Sequence, residues 1–221
     1  MLSTFIIALR EGLEAALIVG ILVAYVVKTG RSHFLKPIWS GVAVALVLSF
    51  GLGAFLSYSS TQLSERGEEI FAGASSIIAV ALVTWMVFWM KRAARGLRDE
   101  LHGKAEIAVT SGTLSMATLA FFAVAREGLE TSLFLYTNFK TVGAFSTATL
   151  GLVLGLALAI ALGYGIYKRA VKINLGKFFT YSGVALIVVA AGVLSYGIHE
   201  FQEFGILPGP DAFAWDMTSW M

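Results

Sequence analysis

A chain of 221 residues that is 57% hydrophobic and only 14% charged is too poor in charge for a soluble domain, which carries about 25% charged residues. Cysteine is absent, which excludes disulfides and thiolate metal sites, and a formal net charge of +2 gives no basic excess to hold a nucleic acid. The composition is that of a membrane protein, and one all-α polytopic domain over 1–221 is the natural count.

Six apolar spans follow one another along the chain, at about Thr4–Val27, Ile38–Tyr58, Ile70–Met90, Gly112–Thr137, Ser146–Tyr167 and Phe178–Ile198. Each is near the ~20 residues that a helix needs to cross the hydrocarbon, and none alternates as a transmembrane strand would. Span 1 is not a cleavable signal, because Arg10 interrupts it and no basic residue precedes it. Between spans 3 and 4, Lys91–Glu106 reads as a basic, polar loop, partly helical. Trp85-Met86-Val87-Phe88-Trp89-Met90, at the end of span 3, reads as an aromatic belt at one membrane interface. After span 6 the acids and aromatics of 200–221 suit an interfacial segment outside the membrane.

Charge is divided unequally between the connections. Those after spans 1, 3 and 5 hold twelve basic residues; those after spans 2, 4 and 6 hold Arg66 and Lys140 alone. The positive-inside rule puts the first set in the cytoplasm and the N-terminus outside. The outer side also carries seven acids, among them Glu68, Glu69, Glu200 and Glu203. Most such loop charge is simply solvated, but these four are candidates for collecting a cation outside.

Within the spans one phrase occurs twice: Arg10-Glu11-Gly12-Leu13-Glu14 in span 1 and Arg126-Glu127-Gly128-Leu129-Glu130 in span 4. A single charge at the bilayer centre costs at least ~2.5–3.5 kcal/mol, so three together must face protein, water or an ion. Two spans, 2 and 3, lie between the copies, so the two helices run in opposite directions. The chain then reads as two inverted three-helix repeats, about 1–92 and 110–200. With the N-terminus outside, both copies lie at one level, roughly two to three turns below the outer surface.

The spacing is chemically pointed. Residues at i and i+3 share a helix face, so each helix presents two carboxylates in one direction. Arg10 and Arg126 each stand four residues before a glutamate and can pair with it as supporting ion pairs. Gly12 and Gly128 let the helices approach. Four carboxylates and two guanidiniums leave two negative charges, which suits a divalent cation. The histidines His33, His102 and His199 lie outside the apolar runs, so the ligands must be oxygens: Glu11, Glu14, Glu127 and Glu130. Oxygen ligation admits Fe, Mn, Mg or Ca. Two ion pairs that only orient helices would leave one glutamate per helix without a partner. An intramembrane di-iron enzyme would call for Glu-x-x-His, which neither copy has. Transport of a divalent ion, Fe2+ or another such as Mn2+, is the reading that remains.

Two Arg-Glu-x-x-Glu motifs, in the first and fourth membrane helices, resemble those of the oxidase-dependent iron permease family of yeast and bacteria. Trp85–Met90 and the Phe122-Ala123-Val124-Ala125 lead into the second motif are similar to its bacterial branch. The resemblance covers essentially the whole chain. It implies iron import, as Fe2+ or Fe3+, across a plasma or bacterial inner membrane, with the four motif glutamates on the ion, no resident cofactor and no catalysis. It also implies external partners of ferroxidase or peroxidase type: a cupredoxin-like lipoprotein and a haem peroxidase in bacteria, a multicopper ferroxidase in fungi. The family has a seventh membrane helix, whereas this sequence stops at Met221 just after a sixth.

Overall fold

The computed structural model describes residues 1–62, 65–93, 96–142, 145–168, 174–203, 205 and 207–208. Among these lie seven α-helices: α1 (Leu2–Lys28), α2 (Leu35–Gln62), α3 (Glu65–Ala93), α4 (Leu97–Ser111), α5 (Thr113–Val142), α6 (Phe145–Tyr167) and α7 (Leu175–Glu203). A 3-10 turn, Ser32–Phe34, leads into α2. At 1.5 Å per residue, every helix but α4 is long enough to cross the ~30 Å hydrocarbon layer.

By length and apolarity together, Ser32–Ser59, Ile70–Trp89, Ser146–Tyr167 and Leu175–Glu203 are candidate membrane spans. The long helices outside that group are α1 and α5, and each carries three charges in mid-helix. The outward faces are apolar: Val47, Phe50, Trp85 and Val188 are each about 70% exposed. Water would not tolerate so continuous an apolar surface, and lipid does. The chain is an all-α, multi-pass membrane protein.

The helices associate in pairs: α1 lies along α6, α2 along α5 and α3 along α7, while α1 also packs against α5. Glycine makes the first two pairings close. A Cβ on Gly41 of α2 would run into the main chain of Ala117 and Phe121 on α5. One on Gly151 of α6 would run into the main chain of Met1 and Phe5 on α1. Between membrane helices there is little hydrophobic gain from association, so this backbone-to-backbone packing is what holds them.

The stretch expected as a polar loop is organised further than the sequence suggests. From Leu97 to Ser111 it is α4, fifteen residues long and so too short to span. Leu101, Ala105 and Ala108 are buried in the cluster formed by Leu22, Val26, Phe34 and Ile38. On the other face Lys104 pairs with Glu100 at 2.6 Å in the open. The buried stripe is one residue wide and contains two alanines, so it hardly registers among the surrounding charges. In the aromatic stretch, Trp85 and Phe88 face outward as a belt would, but Met86 is in the core. The side chain of Met90 and the segment beyond Leu207-Pro208 lie outside the described residues.

Candidate functional site

Where α1 and α5 face each other, Glu11, Glu14 and Glu127 come together. One carboxylate oxygen from each lies within 4.8 Å of the others, and all three side chains are buried. Glu11 and Glu14 arrive from one helix because i and i+3 share a face. Glu127 arrives from the facing helix. Gly12 is turned the other way, toward α6, where a Cβ would sit 2.9 Å from the Cβ of Ala159. Gly128 is turned toward α2, where a Cβ would sit 2.8 Å from the Cβ of Ser49. Contrary to the expectation from sequence, neither glycine lies between the two motif helices; each lets an outer helix come close to its own motif helix.

Arg10 is 1% exposed and sits between its helix's two carboxylates, 3.5 Å from Glu11 and 3.3 Å from Glu14. Arg126 pairs with Glu130 at 3.2 Å. Its guanidinium also lies over the indole of Trp89, 4.1 Å from the ring centre. Glu130 therefore stays with its arginine and does not join the group of three. Three carboxylates against one buried guanidinium leave two negative charges without a protein partner. Both oxygens of Glu11 and of Glu14, and Oε2 of Glu127, make no hydrogen bond among the described residues. Buried carboxylates in this condition are strongly unfavourable by themselves, and a cation with two positive charges relieves them. The ligands on offer are hard oxygens.

A cavity of about 500 Å³ opens beside the cluster, between α1, α2, α5 and α6. Glu11 and Glu127 stand in its wall, and Ser49, Ser57, Thr131, Ser132 and Tyr136 also line it. Sequence reasoning missed this cavity and its hydroxyl groups, because a serine in an apolar helix is unremarkable until its neighbours are known. It also missed Trp89 as the partner of Arg126. Of the acids considered for collecting a cation, Glu200 and Glu203 lie in the last turn of α7, outside the carboxylate group, and Glu203 pairs with His199 at 3.2 Å. The side chains of Glu68 and Glu69 lie outside the described residues.

The model of the iron permease FTR1 family matches residues 1–220 of this chain. A protein of Escherichia coli O6:H1 described as ferrous iron permease EfeU is 38% identical over 223 residues, covering 99% of this chain and 80% of its own length. Its namesake in Yersinia pestis is 37% identical over 221 residues, covering 99% of this chain and 78% of its own. No solved structure matches. With its whole length matched in this way, the chain belongs to the iron permease FTR1 family and is a transporter, not an enzyme.

Proposed function

We propose that this chain imports iron, with Glu11, Glu14 and Glu127 as the ligands that hold the ion inside the membrane and Arg10 and Arg126 as the cations that keep the carboxylates placed. The observation that carries this is the meeting of three buried carboxylates from two helices around an uncompensated charge of two. Glu130, paired with Arg126, completes the second motif and takes the ion as it moves past. The relatives are described as ferrous iron permeases, which favours Fe2+ as the cargo. The division of basic residues places the N-terminus outside and release in the cytoplasm. An external ferroxidase or peroxidase-type partner delivers the iron, and the acids Glu68, Glu69, Glu200 and Glu203 raise its concentration at the outer face.

The six long helices form two inverted repeats in this reading, and the glycine contacts support it. Aligning Gly12 with Gly128 sets Met1 against Ala117 and Phe5 against Phe121. Aligning Gly41 with Gly151 sets Ser49 against Ala159. The contact of Gly41 with Ala117 and Phe121 then has its counterpart in that of Gly151 with Met1 and Phe5. The contact of Gly128 with Ser49 has its counterpart in that of Gly12 with Ala159. Two-fold related packing in the same register is what duplicated, inverted halves produce.

Uptake of radiolabelled Fe2+ into vesicles tests the proposal. Glu14→Ala and Glu127→Ala are each expected to abolish uptake while the protein still inserts, and excess Mn2+ to compete weakly. Near-normal uptake by either variant would refute the shared site. Uptake that follows Mn2+ in preference to iron would replace the cargo.

A further inference from the structure

The cavity beside the carboxylates is unequal in a way that the duplicated halves make visible. On its α2 and α5 walls stand the hydroxyls of Ser49, Thr131 and Ser132. In the alignment above, their counterparts are Ala159, Ala15 and Ala16. All three hydroxyls stand on the α2–α5 pair, and their counterparts on α1 and α6 carry none; Ser57 and Tyr136 also line the cavity. Spacing differs at the same place. A Cβ on Gly53 of α2 would lie 3.9 Å from the Ser132 side chain, whereas one on its counterpart Gly163 would lie 2.6 Å from the Cβ of Ala16. The α2–α5 pair is parted where the α1–α6 pair is closed.

The hydroxyl protons are already committed. Thr131 Oγ1 donates to the Glu127 carbonyl at 2.7 Å. Ser132 Oγ donates to the carbonyls of Ser49 at 2.7 Å and Gly128 at 2.8 Å. Ser49 Oγ donates to the Ala45 carbonyl at 2.8 Å. A hydroxyl has one proton and two lone pairs, so each oxygen is left as an acceptor. Acceptors of this kind suit a cation, or the water around one, and the hydroxyl of Tyr136 in the same wall, which makes no hydrogen bond among the described residues, offers one more oxygen. In the wall of the same cavity are Glu11 and Glu127, buried and with carboxylate oxygens that lack hydrogen bonds.

Resting on the permease reading above, we propose that Ser49, Thr131 and Ser132 form a second cation site, a hydroxyl-lined vestibule in which a hydrated divalent metal ion is held and partly stripped of water before it reaches the glutamates. The site is neutral, so it holds the ion loosely and passes it on; the carboxylates beyond it supply the charge.

The test is Fe2+ uptake by Ser49→Ala/Thr131→Ala/Ser132→Ala, which installs the small residues found at the matching positions of the α1–α6 pair. The expected result is a KM about tenfold higher at little-changed maximal rate, from the loss of three oxygen contacts. Thr131→Val and Thr131→Ser give a second reading at nearly constant size. Valine is expected to raise KM, and serine, which restores the hydroxyl, to recover it. An unchanged KM in the triple variant and in Thr131→Val, or a lower maximal rate at constant KM, would overturn the vestibule. Should uptake survive Glu127→Ala in a chain that keeps the three hydroxyls, the glutamate reading would fall and the vestibule with it. Loss of uptake in Glu127→Ala beside an unchanged KM in the triple variant would remove the vestibule alone.

Discussion

The two arginines occupy like positions in sequence and unlike ones in space. Arg10 is enclosed, and its planar fork serves two carboxylates at once. Arg126 is 38% exposed, serves one carboxylate and rests on an indole. Lysine has a single charged point and cannot divide itself between two acids as the fork does. Arg10→Lys is therefore expected to slow iron uptake by roughly tenfold or more, the equivalent of ~1.4 kcal/mol. Kinetics equal to those of the unaltered chain would show that only the charge matters. Trp89→Leu removes a cation–π contact of about 0.5–2 kcal/mol and frees Arg126 to shift. A few-fold loss of uptake is expected, with normal insertion. The doubled motif was plain in the sequence because charge in an apolar run stands out. The indole partner was hidden, because Trp89 belongs to another helix and its surroundings there suit an interface belt equally well.

At the level of the helices, close packing at a few glycines determines whether the motifs can meet. Gly128 has Ser49 directly against it, so Gly128→Ala forces α2 away from α5 and disturbs both the carboxylates and the cavity. Gly192 has nothing within 4 Å of a Cβ. Gly128→Ala is expected to lose most uptake and Gly192→Ala to retain it, measured at equal protein level in the membrane. Similar behaviour of the two would mean that helix approach is not limiting. The long helices were legible in outline because twenty or more apolar residues admit few other structures. Even α1 and α5, whose charges lower their hydropathy, were found from their flanks. Helix α4 was legible only as a partly helical loop; its burial was not, since its buried face is Leu101 with two alanines and its remaining residues are those of any solvated loop.

For the whole molecule the central matter is whether both halves serve one ion. The chain has no cysteine, so single cysteines report topology cleanly. Cysteine at Ser64 or Thr141 is expected to react with an impermeant thiol reagent added outside, and cysteine at Ser32 or Glu106 only after the membrane is opened. Ser32 and Glu106 are exposed and suit this use, whereas Ala105 is on the buried face of α4 and does not. Reaction of Ser64 and Thr141 from opposite sides would break the inverted arrangement. The doubled phrase suggests a repeat and by itself aligns α1 with α5, whereas the proposed alignment of α2 with α6 rests on the glycine contacts, which no sequence pattern announces. The most direct measurement is the number of metal ions bound per chain by the purified protein, read at equilibrium with Fe2+ under anaerobic conditions. One tightly held ion is expected, lost alike in Glu11→Gln and in Glu127→Gln, because carboxylates from both helices hold it. Two ions, with each substitution removing only one, would mean separate sites and would contradict the account.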